Sequence, residues 1–223
     1  MSKISLLRVA AGIAFPRACA GCRTPDASLL CDECAGSSLE APERTLDPFR
    51  ACIAAFTHDG APREALLAAK LGGERRGLGQ LAMRIPTLEA AGVPSADVVT
   101  NVPDTYRTRA QRGGSIAGAL ARHYARRIAT PTATLLRKRV TTVDHGGASR
   151  AQRLADPQDA FAPIRDAPGR VVLVDDVVTT GATARACASA LLAAGARELI
   201  LVTFTSAVMR GEVSEDDTFA PVR

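Results

Sequence analysis

Tryptophan is absent, and two tyrosines and six phenylalanines hold aromatics to 4% of the chain. Alanine, valine and leucine must therefore build the core. The same scarcity weighs against a groove for single-stranded nucleic acid, where bases usually stack on aromatic rings. Only three histidines occur, His58, His123 and His145, each alone in the sequence. They make no metal constellation; His123 suits a helix surface or a packing position, and no catalytic role is assigned to His145. No apolar run approaches the roughly 20 residues that a bilayer-spanning helix needs. No lysine follows a glycine pair in the manner of a Walker loop, which excludes that mode of nucleotide binding.

What remains is a chain of 223 residues, 47% of them hydrophobic. That suits one α/β domain with a small appendage. The net charge is +5, mostly from an excess of arginine. A basic surface favours phosphate-bearing partners such as nucleotides or nucleic acid; an arginine- and alanine-rich genome would leave the same mark. Lys3 followed by Ile4, Leu6, Leu7, Val9, Ile13 and Phe15 has some features of an export signal. Arg8 interrupts the apolar stretch and no clean small-x-small cleavage site follows, so a short helix packed on the domain and a cytoplasmic location are expected.

Along the chain, Pro42, Pro48 and the polar residues between them read as a linker. Cys52–Phe56 reads as a strand, Pro62–Lys70 as a helix closed by Leu71-Gly72-Gly73, and Leu78–Leu88 as a second helix. Asp97–Val102 is a β-branched run and reads as a buried strand. An alanine-rich helix is expected over Gly114–Ile128 and a strand over Thr132–Leu136, while Lys138–Ala160 reads as loop and short helix. Val171–Val174 is a strong buried strand. Thr183–Ala194 is a helix closed by Gly195, and Glu198–Phe204 is a further strand. Strand, helix, strand in that order implies a right-handed crossover and a mostly parallel sheet flanked by helices.

The most informative run is Val171 to Thr183. Four apolar residues bury a strand, and Asp175 and Asp176 stand at its carboxyl end, where open α/β sheets bind ligands. Thr179, Thr180 and Gly181 then turn into a helix. Free N–H groups at the helix start, with its dipole, suit a phosphate, and glycine lets the backbone approach closely. Two acids before a capped helix would be unremarkable alone; four apolars, two acids and Thr-Thr-Gly-x-Thr together are far more specific.

This run resembles the motif with which type I phosphoribosyltransferases bind phosphoribosyl pyrophosphate (PRPP). The resemblance implies that Asp175 and Asp176 contact the ribose hydroxyls and that one of them assists at the reacting carbon. It implies that the stretch from Val174 through Thr179, Thr180, Gly181, Ala182 and Thr183 binds substrate, with the threonine turn around the 5′-phosphate. It also implies Mg²⁺ bridging pyrophosphate and ribose oxygens. The pyrophosphate cradle of the family follows an earlier strand. Asn101-Val102-Pro103 through Arg112-Gly113-Gly114 fits that place, with Arg107, Arg109 and Arg112 adding charge; a solvated basic loop is the alternative. Lys70 is a second candidate phosphate contact. Replacing both acids with asparagine is expected to leave the fold intact or slightly more stable while PRPP binding is lost.

Four cysteines form two close pairs, Cys19-x-x-Cys22 and Cys31-x-x-Cys34. Four thiolates close a tetrahedral structural zinc site that leaves no position for a reactive water. Disulfides are the alternative, and they would need an oxidising compartment. Cys52 and Cys187 lie among apolar neighbours and read as core residues.

A four-cysteine module ahead of a phosphoribosyltransferase domain resembles the ComF family, which is linked to competence for DNA uptake. The likeness rests on the cysteine pairs, Arg112-Gly113, Val171–Thr183 and the opening Leu6-Leu7 through Phe15-Pro16, and it covers nearly the whole chain. Gly114 and Ser115 stand where the family has an aromatic and an asparagine after Arg-Gly. His145 takes a glutamine place and Asp156 an asparagine place, while Arg153 and Ala160-Phe161 keep the pattern. The resemblance implies a zinc-ribbon-like module over 1–46, a phosphoribosyltransferase-like domain over 47–208 and a loose tail over 209–223. The implied activity is Mg²⁺-dependent transfer of a phosphoribosyl group to a nitrogen nucleophile with release of pyrophosphate. The alternative is a non-catalytic protein that binds a nucleotide or single-stranded DNA beside the DNA-uptake machinery.

Overall fold

A computed structural model describes residues 18–25, 28–71, 75–104, 114–139 and 160–207. Its elements in chain order are α1 (Asp32–Gly36), β1 (Ala51–Thr57), α2 (Gly60–Leu71), α3 (Arg75–Arg84), β2 (Val98–Asn101), α4 (Ile116–Arg127), β3 (Leu136–Lys138), β4 (Phe161–Pro163), β5 (Arg170–Val178), α5 (Ala182–Ala193) and β6 (Glu198–Ser206). Four strands form one parallel sheet in the order β1-β6-β5-β2, and β3 and β4 pair antiparallel in a second, two-stranded sheet. The expected strand–helix–strand unit is β5-α5-β6, whose strands are neighbours in register from Arg170–Glu198 to Val178–Ser206.

β5 and β6 are buried on both faces, which is why their sequences are continuous apolar runs rather than alternating ones. Alternation still decides which layer each residue meets. Val172, Val174, Ile200, Val202 and Phe204 pack with Leu66 of α2, Leu78 and Leu81 of α3, and Leu120 and Tyr124 of α4. Val171, Leu173, Leu199 and Leu201 pack with Cys187 and Leu191 of α5, Leu136 and Phe161 of the small sheet, and Leu46 and Phe49 ahead of β1. The result is three layers, with β5 central and its carboxyl end open at one edge of the sheet.

Two elements end differently from the sequence reading. α3 stops at Arg84, short of Leu88, because Pro86 disfavours helical backbone before it. Its last carbonyls are met from α4: the Arg127 guanidinium donates to Met83 O at 2.9 Å and to Ile85 O, and Tyr124 Oη donates to Pro86 O at 2.9 Å. The expected strand over Thr132–Leu136 is divided. Pro131–Ala133 lies along the outer edge of β2 through Val99 N–Pro131 O and Ala133 N–Val99 O bonds of 2.9 and 3.0 Å. Leu136 then begins β3, because its partner β4 comes from Phe161–Pro163, beyond the reach of local pattern.

The opposite edge is also covered. Residues ahead of β1 run antiparallel along it, with Thr57 N–Leu39 O at 3.0 Å, Ala41 N–Ala55 O at 3.3 Å and an Arg44–Cys52 bridge. α5 closes as read: Gly195, at φ 101°, donates to Leu192 O, and Ala196 donates to Leu191 O, the paired bonds of a Schellman motif.

Candidate functional site

The four cysteine sulfurs lie within 4.8 Å of one another, and Cys22 Sγ is 3.7 Å from Cys31 Sγ. Four thiolates about 2.3 Å from a tetrahedral zinc sit roughly 3.8 Å apart, so the donor set and spacing fit the metal. Burial opposes ionisation of Cys19, but the backbone N–H groups of Cys31, Cys22 and Gly21 outweigh it and bring the thiol down to about 6. Leu29 and Leu30 of this module enter the main core, where Gly77 leaves room for Leu29; a β-carbon there would lie 2.8 Å from it. Gly21 lies against Ala61 at the start of α2, and Asp32 pairs with Arg84 of α3.

The phosphate motif is more strand than the sequence suggested. β5 continues through both acids to Val178, because β6 pairs with it as far as Ser206. The side chain of Val174 is fully buried in the core, and its carbonyl accepts from Val102 N at 3.0 Å. Thr179 and Thr180 are exposed, and Gly181 takes the left-handed region at φ 79°. A β-carbon on Gly181 would lie 2.6 Å from Leu46 Cδ1, so both the backbone and the space call for glycine. No side chain caps α5 at Gly181; the nearest is Thr180 Oγ1, 3.4 Å from Ala182 N. The helix start therefore keeps N–H groups for an outside acceptor. Arg185 donates to Thr180 O at 2.9 Å and braces the turn. A pocket of about 50 Å³ lies there, lined by Asp175, Val178, Thr179, Thr180, Gly181 and Thr183 among others.

The two acids, adjacent in sequence, have different partners. Asp176 Oδ2 is 2.7 Å from Lys70 Nζ, with both side chains largely covered (16% and 20% exposed). Lys70 thus reaches the motif from the last turn of α2. Asp175 lines the pocket beside α5 and accepts the Asp176 N–H at 2.9 Å. Burial, and then the Asp176 charge, push its carboxyl well above the usual range. Burial and then Asp175 likewise push the Cys187 thiol up.

His58, read from sequence as a solitary residue, belongs to this neighbourhood. It follows β1 directly, donates its backbone N–H to Ser206 O at 2.8 Å, and sets Nδ1 2.8 Å from Thr205 Oγ1. Burial, then Lys70 and Arg63, hold its imidazole below the ordinary value, against Asp176 and Asp59. Its sequence signal was position: a polar residue just past a parallel strand, on the ligand side of the sheet. Arg107, Arg109, Arg112 and Gly113 lie outside the described residues, as does His145. At the foot of that loop, Asn101, Ser115 and Arg122 line a pocket of about 300 Å³.

The differing partners revise the expectation for asparagine replacements. Asp175→Asn removes a carboxyl whose protonated form burial favours. Its contribution to stability is full below the unfolded value near pH 4 and is lost as pH rises through the higher folded value. Asp175→Asn is therefore expected to melt above the parent at neutral pH, with the difference gone near pH 4. Asp176→Asn strands the Lys70 ammonium and is expected to cost about 1–3 kcal/mol, between a surface and a buried pair. Equal melting temperatures for both variants at neutral pH would contradict this split.

Residues 113–220, just under half of the chain, match the family model described as the phosphoribosyl transferase domain. No curated protein matches the sequence. Among solved structures, the allosteric regulatory enzyme of purine biosynthesis is 28% identical over 58% of this chain and 25% of its own, with a TM-score of 0.39. The glutamine PRPP amidotransferase from B. subtilis, complexed with ADP and GMP, is 26% identical over 57% and 25%, with a TM-score of 0.38. This chain thus spans about a quarter of those two enzymes. Orotate phosphoribosyltransferase from Aeropyrum pernix is 18% identical over 78% of this chain and 90% of its own, with a TM-score of 0.36. The parallel sheet with flanking helices is the type I phosphoribosyltransferase fold, with a four-cysteine cluster ahead of it. No helix among the described residues is long and apolar enough to cross a membrane.

Proposed function

We propose that the crevice at the carboxyl end of β5 binds PRPP and transfers its phosphoribosyl group to a nitrogen nucleophile with release of pyrophosphate. The observation that carries this reading is the juxtaposition at one strand end. An uncapped helix start, with left-handed Gly181 and exposed threonines, receives the 5′-phosphate, and two carboxylates stand one turn of chain away for the ribose hydroxyls. Such transfer needs no attacking side chain; holding the ligand and balancing charge supply most of the rate. Mg²⁺ carried in by the ligand would supply positive charge to balance the departing pyrophosphate. Lys70, Arg112 and Gly113 are the proposed pyrophosphate-side contacts. Zinc held by Cys19, Cys22, Cys31 and Cys34 is structural. The place of such a protein in DNA uptake, in the cytoplasm, follows from the ComF resemblance.

Titration calorimetry of the full chain with PRPP and Mg²⁺ tests this. Saturable binding that Asp176→Asn weakens by about tenfold or more is expected, since a hydrogen bond to a charged group contributes about 1.5–3 kcal/mol. Pyrophosphate appearing when nitrogen bases are added completes the case. Binding without pyrophosphate release identifies a non-catalytic nucleotide sensor instead. Failure to bind PRPP at all overturns the assignment.

A further inference from the structure

Thr203 sits in β6 and is 1% exposed. Its Oγ1 is the one buried side-chain oxygen or nitrogen without a hydrogen-bond partner among the described residues. Three other buried threonines each have one. Thr57 donates to Asp59 Oδ1 at 2.9 Å, Thr100 accepts from Leu135 N at 3.4 Å, and Thr205 Oγ1 is 2.8 Å from His58 Nδ1. A hydroxyl taken out of water and left unpaired destabilises a fold, and valine would fill the same space without that penalty.

The position of this hydroxyl gives it a use. Thr203 pairs in register with Asp175 of β5. Alternation sets both on the face that Leu201 and Leu173 present to α5. Leu201 and Asp175 both line the pocket at the phosphate turn. Neighbouring strands lie about 4.8 Å apart, so the hydroxyl and the carboxyl stand side by side on that face. Asp175 Oδ1 accepts the Asp176 N–H at 2.9 Å, within its own strand, and Thr203 Oγ1 makes no bond to it. A half-buried carboxylate that accepts from ribose hydroxyls needs further donors to keep its charge.

We propose that Thr203 is a positioning residue of this site: when a ribose-bearing ligand enters, its hydroxyl donates to the Asp175 carboxylate and fixes the orientation in which that group accepts from the ribose. This deepens the PRPP-binding reading and rests on it. The hydroxyl is idle in the free protein and engaged in the bound one. It should therefore lower stability and raise affinity.

The test sets Thr203→Val, which keeps the shape and removes the hydroxyl, against Thr203→Ser, which keeps the hydroxyl. The full chain of each variant is melted without ligand and titrated with PRPP·Mg²⁺ by calorimetry. Thr203→Val is expected to melt at or above the parent while binding PRPP about tenfold or more weakly. Thr203→Ser is expected to melt lower, for the lost methyl, and to keep the parent's affinity. A purely structural threonine does not produce that opposition. In an Asp175→Asn background the affinity lost through Thr203→Val should largely vanish, because the two residues act through one hydrogen bond. The inference is overturned, with the binding site left standing, by any of three results: Thr203→Val binding as well as the parent or melting below it, Thr203→Ser binding as weakly as Thr203→Val, or an undiminished valine effect beside Asp175→Asn. If the parent does not bind PRPP, the site assignment has failed and this inference falls with it.

Discussion

Gly181→Val is expected to lose ligand binding and a large share of stability together. Valine at φ 79° costs about 1–2 kcal/mol or more in backbone strain, because its β-carbon crowds the carbonyl. Its side chain also meets Leu46, which a β-carbon alone would approach to 2.6 Å, and overpacking of that kind costs about 1–3 kcal/mol. The combined loss is about 2–5 kcal/mol, read from denaturant midpoints. PRPP affinity should fall by tenfold or more, because the turn can no longer present its N–H groups. The two causes separate in Leu46→Ala, Gly181→Ala. Removing the leucine relieves the clash, leaves the backbone strained and itself costs core packing, so Gly181→Ala should cost less in a Leu46→Ala background than in the parent. No cost at all in that background would show that the positive φ is not needed.

Removing zinc should be nearly as damaging, and at a distance. Metal release leaves four thiols whose charge and packing no longer favour one arrangement, and the free energy of metal binding is in large part folding free energy. Here the consequence spreads, because Leu29 and Leu30 are core residues and the knuckle touches α2 and α3 through Ala61 and Arg84. α2 carries Lys70 to the acids of β5. Protein purified without added metal should contain about one zinc per chain. Chelation, or Cys31→Ser, should lower the melting temperature markedly and weaken PRPP binding. A metal-free protein with unchanged melting and intact binding would reduce the cluster to an ornament on the surface.

Much of the sheet was legible because its signals are local. Val171–Val174 announces a buried strand by its valine-rich apolar run, and the Thr-Thr-Gly turn announces a helix start. The strand's continuation through Asp175 and Asp176 was not legible, since carboxylates depress strand signals and only pairing with β6 overrides them. The Lys70–Asp176 pair and the His58–Thr205 bond join residues far apart in the chain, and periodicity carries no such information. Leu46 is the sharpest instance. It sits in a proline-flanked polar stretch that reads as a linker, and at the last residue of the 1–46 segment, yet it is 2% exposed and presses on the phosphate turn. Arg127 teaches the reverse lesson: one of the arginines that make the chain basic, it closes the end of α3.

The covered edges of the main sheet bear on how copies of this protein meet one another. An open strand edge is a template on which further chains can stack without limit. Here β1 is occupied by the run containing Leu39 to Arg44, which brings Glu40 and Arg44 to the rim, and β2 by Pro131–Ala133, where proline has no N–H to offer. Both flanks are sealed by irregular chain rather than by strands long enough to recruit another. A protein shortened to begin at β1 would bare one flank, and its route to fibrous or domain-swapped aggregates would open on that side alone.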